Sequence, residues 1–181
     1  MSDALRKALR SVISFLEGAG VDYMVIGGFA LPFYGRIRTT IDLDVAVALR
    51  TPAEFEDFLR RMEAAGYEHT LGSFKDPECV FLDRETGLEI EFWTRPDGVE
   101  LDAETFARRR RRRLGDVEAW VISPEDFVVN KLARPDRGVE DEKDVKSVLA
   151  RLRDSLDEDY LERRAKNAGV WMILRAIDEV S

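Results

Sequence analysis

The stretch from Val25 to Val47 constrains this chain more than any other. A short apolar run, Tyr23-Met24-Val25-Ile26, ends in Gly27-Gly28, and after thirteen intervening residues comes Asp42-Leu43-Asp44. Side chains alternate faces along a strand. An extended segment over residues 38–47 therefore puts Arg38, Thr40, Asp42 and Asp44 on one face and Ile41, Leu43, Val45 and Val47 on the other. The second face packs on a core. The first presents two carboxylates that repel each other, and such pairs are placed together where a cation compensates. Hard divalent cations take carboxylate oxygens, and Mg2+ is typically held by one or two carboxylates plus substrate phosphates. Glycines lacking Cβ let backbone N–H groups approach a polyphosphate, and a following helix start favours negative charge.

A third carboxylate is expected from a neighbouring strand. Leu88-Glu89-Ile90-Glu91-Phe92-Trp93 offers two on one face. Glu91 is preferred because it sits between apolar residues inside the strand, whereas Glu89 lies nearer a turn. Its role is that of metal ligand, general base for an acceptor hydroxyl, or both.

The rest of the chain supports an α+β reading, a mixed sheet flanked by helices with a helical C-terminal third. Leu5, Leu9, Val12, Ile13 and Leu16 recur at helical spacing after a Ser2-Asp3 cap, and Gly18 and Gly20 end that helix. Residues 29–34 make a helical turn or two closed by Gly35, and 52–65 a second full helix. Strands are predicted over 79–82, 88–93 and 117–122. A helix capped by Ser123 with Pro124 at its first position runs to about 133, and helices follow over 141–152 and 157–177, broken near 167–169. The 181 residues make one domain, with a core at about 20–150 and closing helices at about 151–181.

Composition narrows the function. The net charge is −8, which argues against wrapping nucleic acid over the whole surface. One cysteine, Cys79, excludes an intrachain disulfide and a multi-cysteine zinc site, and one histidine, His69, leaves little room for Ser-His or Cys-His chemistry. No apolar run approaches the ~20 residues of a membrane span and no signal-peptide pattern opens the chain, so a cytoplasmic protein without membrane contact is expected. Gly18-Ala19-Gly20 precedes its strand and lacks a third glycine, which removes the dinucleotide-fold reading. No Walker-type phosphate loop is present.

Taken together, Gly27-Gly28, the spacing to Asp42-Leu43-Asp44 and the later strand acid resemble the DNA polymerase β-like nucleotidyltransferase superfamily. The run Arg38-Thr39-Thr40-Ile41-Asp42-Leu43-Asp44 is similar to the Arg-x-Thr-x-Asp-x-Asp run of the minimal and abortive-infection toxin-type members. Ser123-Pro124-Glu125-Asp126-Phe127 to Lys131-Leu132 resembles that group's helix with a nucleotide-facing lysine, and Asp141 and Asp144-Val145 its downstream acidic helix. The resemblance implies a polymerase-β-like palm and Mg2+-dependent transfer of a nucleoside monophosphate from an NTP to a hydroxyl on tRNA or other RNA, protein or a small molecule. Mn2+ is the alternative metal. Asp42, Asp44 and Glu91 are the implied metal ligands and catalytic residues, Gly27 and Gly28 hold the triphosphate, Lys131 contacts phosphate, and Arg38 and Thr40 position phosphate or acceptor. A toxin–antitoxin setting with an antitoxin partner is implied as well. The rival reading is a nucleotide-binding or interaction module that keeps the fold without catalysis.

Other features admit plainer readings. Asp141 and Asp144 read as helix-start charges that favour the macrodipole and are left out of the site. The arginine run at 108–113 reads either as a solvated strand or loop, or as a basic lip with Arg109, Arg111 and Arg113 on one face. His69 reads as a surface residue. Cys79, Trp93, Trp120 and Trp171 read as core.

Overall fold

Helices form where a capping side chain meets an apolar stripe, and this chain supplies both at its first residues. In the computed structural model, which describes residues 2–40 and 42–179, the Ser2 hydroxyl accepts from the Leu5 N–H to cap helix α1 (Asp3–Ala19). α1 buries Leu5, Leu9, Val12, Ile13 and Leu16, the stripe read from the sequence. There follow β1 (Tyr23–Val25), α2 (Gly27–Tyr34), β2 (Leu43–Val47), α3 (Pro52–Ala64), β3 (Tyr67–Leu71), β4 (Glu78–Asp83) and β5 (Glu89–Trp93). The remainder is α4 (Ala103–Arg108), β6 (Arg110–Leu114), β7 (Val117–Val121), α5 (Pro124–Ala133), α6 (Val139–Leu152), α7 (Glu158–Asn167) and α8 (Trp171–Glu179). α3 opens with a Thr51–Glu54 capping box, and α5 with the Ser123 hydroxyl accepting from the Asp126 N–H. Each such cap contributes ~1 kcal/mol.

The strands form one sheet in the order β3-β4-β5-β2-β1-β7-β6. β2 lies parallel to β5 and antiparallel to β1, and β1 is parallel to β7. The fold is therefore the expected α+β class with a mixed sheet. One wall of the core is aromatic: the Phe58 ring meets those of Phe81 and Phe92 edge-on at 5.8 and 5.2 Å. No helix among the described residues is long and apolar enough to cross a membrane.

Several expectations are corrected. The strand predicted over 38–47 begins at Leu43. Arg36 and Arg38 reach the buried Asp144 of α6, and the Arg36 N–H donates to Ser147 Oγ at 3.0 Å, so this segment is drawn off the sheet toward α6. Arg38, Thr40 and Asp42 thus precede the strand and do not share a pleated face with Asp44, and Ile41 lies outside the described residues. β3 was not expected, and it gives His69 a half-buried place beside Phe81, with ring centroids 5.2 Å apart. Trp120 lies partly open on β7 with Arg109 and Arg111 stacked over it, at 4.6 and 5.4 Å.

Candidate active site

β2 and β5 pair in parallel so that Asp44 lies directly across from Glu91. The register sets Glu91, and not Glu89, beside Asp44. Glu91 is half-buried beside Asp44, whereas Glu89 is exposed and pairs with Leu82 toward the turn. Burial first, then the charge and hydrogen bond of Glu91, and then the charge of Asp42 push the Asp44 carboxyl up to about 7. The protonated form donates to Glu91. The Trp93 indole N–H acts in the opposite direction on Asp44, but it closes no hydrogen bond of normal geometry, and Nε1 is buried without a partner.

Gly27 opens α2 with φ +61° and lies against the Asp44 carboxyl group: a Cβ there would stand 2.8 Å from its Cγ. A Cβ on Gly28 would stand 2.6 Å from Thr40 Oγ1. Both glycines are needed for packing, and both leave backbone amides at the start of a helix whose cap position, Ile26, supplies no side-chain bond. The structure thus gathers Gly27, Asp44 and Glu91 at one point and sets Gly28 against Thr40. Asp42 is exposed just ahead of β2, and it reaches the others through its charge.

Gly27, Asp44 and Trp93 line a small cleft with Asp97, Lys131 and Arg134, of about 30 Å³. Arg134 stands at its edge, its side chain 41% exposed and paired with exposed Asp136. Lys131 is 2% exposed, and its Nζ lies 2.9 Å from Asp141 Oδ1 and 3.4 Å from Asp144 Oδ2. Burial raises the Asp141 carboxyl, but the Lys131 hydrogen bond, the Gly138 N–H and Arg134 outweigh it and leave it below the ordinary carboxylate range.

Arg38, expected beside the site, donates from Nε to Asp144 Oδ2 at 3.3 Å. Arg36 takes the other oxygen of Asp144 at 2.7 Å. Asp141 and Asp144, read from the sequence as helix-start charges that favour the macrodipole, are therefore counter-ions of Lys131, Arg36 and Arg38. Asp144 is fully buried. The signal was present: Asp144 falls on the same stripe as Val145, Val148 and Leu149, where an unpaired carboxylate is not tolerated. Trp93, read as core, was also missed, as were Asp97 and Arg134.

The arginine run is divided by its strand. Arg111 pairs with Glu17 at 2.5 Å, and Arg109 with Asp22 at 3.0 Å, so most of the face proposed as a basic lip is spent on α1 and β1.

The donor set is all carboxylate oxygen, with burial and mutual repulsion holding Asp44 toward its neutral form. A divalent cation at this point would relieve both, so the Asp44 and Glu91 carboxylates suit a hard ion such as Mg2+, with Asp42 exposed ahead of them. Among the described residues no group of three His, Cys, Asp or Glu side chains stands close enough together to hold a metal ion.

A family model described as nucleotidyl transferase of unknown function (DUF2204) matches residues 5–169. Among solved structures, the solution structure of the antibiotic-resistance factor ANT(2'')-Ia is 12% identical, covering all of both chains with a TM-score of 0.63. The complex of ANT(2'')-Ia with adenylyl-2''-tobramycin is 14% identical, covering 93% of this chain and 98% of that one, with a TM-score of 0.57. The lincomycin-bound lincosamide antibiotic adenylyltransferase LnuA is 15% identical, covering 78% of this chain and 94% of its own, with a TM-score of 0.54. At these identities the likeness is one of fold, that of the polymerase-β-like nucleotidyltransferases. No curated protein matches the sequence significantly.

Proposed function

Because this chain belongs to the nucleotidyl transferase family DUF2204, we propose that it transfers a nucleoside monophosphate from an NTP to a hydroxyl, with Asp44, Glu91 and Asp42 as the acids of the site. The observation that carries this is the half-buried Asp44–Glu91 pair, with Asp44 pressed against Gly27 at the start of α2. Mg2+ bound by these carboxylates supplies neutralisation of phosphate charge.

The chain's own groups do the rest. The first amides of α2, at Gly27 and Gly28, take the triphosphate, with the helix dipole behind them. Lys131 turns from Asp141 to a phosphate oxygen, and Thr40 and Arg38 position phosphate or acceptor from the preceding loop. The acceptor oxygen attacks the α-phosphorus and a new O–P bond forms. The bond from that phosphorus to the bridging oxygen of the β-phosphate breaks, and pyrophosphate leaves with the electron pair. The acceptor proton passes to the Glu91 carboxylate. Trp93 walls the cleft and limits water.

A small-molecule hydroxyl is the acceptor favoured over RNA, tRNA or protein, because LnuA and ANT(2'')-Ia carry lincomycin and adenylyl-tobramycin. A toxin–antitoxin role would use the same acids on a macromolecular hydroxyl. The test is incubation with α-labelled ATP, Mg2+ and a panel of hydroxyl compounds. Label moves to an acceptor in the native protein and not in Asp44→Asn. ATP binding without transfer to any acceptor, unchanged in Asp44→Asn, marks instead a binding module with the same fold.

A further inference from the structure

A second, larger hollow opens on the other side of the glycine pair. It measures about 750 Å³ and runs between α2, the segment 37–40 and the β6–β7 turn. Its walls include Phe29, Phe33, Ile37 and Leu114, and it adjoins Gly28 and Thr40. Ile37 is 86% exposed at its rim. A hollow of this size matches pockets for small ligands, which fall at ~300–1,000 Å³ and are mostly apolar with a few polar groups.

Its charge is one-sided. Among the described residues lining it, Arg38 and Arg113 are charged and none is acidic. Arg113 donates from Nε to the Gly115 carbonyl at 3.2 Å and leaves the rest of its guanidinium exposed. Arg38 pairs with Asp144, which Arg36 and Lys131 also reach while pairing with Glu140 and Asp141, so among the described residues Arg113 is the cation on this hollow without a carboxylate partner. A polycationic acceptor would meet like charge here, which excludes partners as effectively as contacts select them.

We propose that this hollow is the acceptor pocket, and that it takes a hydroxyl-bearing small molecule with an apolar body and an anionic group. The inference rests on the nucleotidyl-transfer reading and adds the acceptor's chemistry. The apolar body lies on Phe29, Phe33 and Ile37, the anion faces Arg113, and the hydroxyl is presented past Thr40 toward Asp44. In this the proposed acceptor differs from that of ANT(2'')-Ia, which was solved in complex with adenylyl-2''-tobramycin.

The experiment has two arms, each run on the native chain, Arg113→Glu and Ile37→Glu. Both substituted side chains are exposed, so the fold is kept. In the first, 1-anilinonaphthalene-8-sulfonate, which joins apolar rings to a sulfonate, is titrated by fluorescence. Binding weakens at least tenfold in both variants while ATP affinity stays within twofold. In the second, α-labelled ATP and Mg2+ are offered a hydroxylated steroid carboxylate, its neutral alcohol and tobramycin. Label goes to the acid above the alcohol and not to tobramycin, and Arg113→Glu raises the apparent KM for the acid at least tenfold. Equal labelling of tobramycin, equal dye affinity in the variants, or a dimer that Ile37→Glu dissociates overturns the pocket and leaves the transfer reading standing. No label on any acceptor, with dye binding still lost in both variants, is the distinct result that overturns the transfer reading and the acceptor role with it.

Discussion

The Gly27 Cα and the Asp44 carboxyl group occupy adjoining space so closely that a Cβ on Gly27 would stand 2.8 Å from Asp44 Cγ. The approach depends on two properties of one residue, a positive φ of 61° and the lack of a side chain.

Gly27→Ala tests this against a control in the same chain. Gly20 has a similar φ of 67°, but nothing lies within 4 Å of a Cβ built there. Gly20→Ala carries left-handed strain alone, ~1–2 kcal/mol, and leaves transfer unchanged. Gly27→Ala carries the same strain and displaces Asp44, so transfer falls at least 100-fold and the added loss of stability exceeds that of Gly20→Ala. Urea unfolding beside label transfer checks both. Equal effects of the two substitutions would falsify the role of close approach.

Asp44 makes stability depend on pH in a direction opposite to an ordinary salt-bridged carboxylate. Its folded value, about 7, lies above the ~3.9 of an unfolded aspartate, so the native state holds the extra proton. The contribution is fully present below about pH 4, declines as pH rises, and is gone above about pH 7. It amounts to at most ~4 kcal/mol. Asp126, raised to about 6 chiefly by burial, slopes the same way, so the comparison is the native chain against Asp44→Asn. The variant, whose amide still donates to Glu91, is expected to be more stable than the native chain at pH 8 and no more stable at pH 4. Mg2+ raises the native Tm at pH 8 and leaves the variant's unmoved. Thermal melts at the two pH values, with and without Mg2+, decide it.

The parts legible in the sequence are those set by local periodicity. The apolar neighbours of Glu91 inside its strand were enough to prefer it over Glu89 nearer the turn, and the α1 stripe emerged residue for residue. What was not legible depends on partners far along the chain. Arg36 and Arg38 bond to Asp144, more than a hundred residues away, and that pull starts β2 at Leu43 instead of near residue 38. The structure sets Lys131 in the cleft wall, but its counter-ions were not legible, because the partners of a helix-start carboxylate lie on another helix. Trp93 was assigned to the core by its apolar neighbours, yet on β5 it follows Glu91 by two positions and so faces the same side.

Glu91→Gln and Glu89→Gln separate these two acids by activity. Glu91 sits across from Asp44 and is the proton acceptor in the proposed reaction, a role that contributes ~10²–10⁴-fold. Glu91→Gln therefore lowers kcat by at least 100-fold, with melting temperature at pH 8 unchanged or raised, since a repelling charge is removed. Glu89→Gln stays within twofold of the native rate. Steady-state kinetics at saturating Mg2+ are the measurement, and equal losses would move the base to another group.

Lys131 is the position where stability and substrate binding part company. It is buried between Asp141 and Asp144, and removing one member of a buried ion pair costs ~3–5 kcal/mol because the partner is left uncompensated. Asp144 retains Arg36 and Arg38, so the loss falls mainly on Asp141, whose remaining cationic neighbour is Arg134. Lys131→Met is expected to unfold at markedly lower urea and to raise the KM for ATP more than it lowers kcat. Adding Asp141→Asn to that variant restores at least half of the lost stability and none of the ATP affinity. If the double variant recovers both, the lysine acts through Asp141 alone and has no part in holding phosphate.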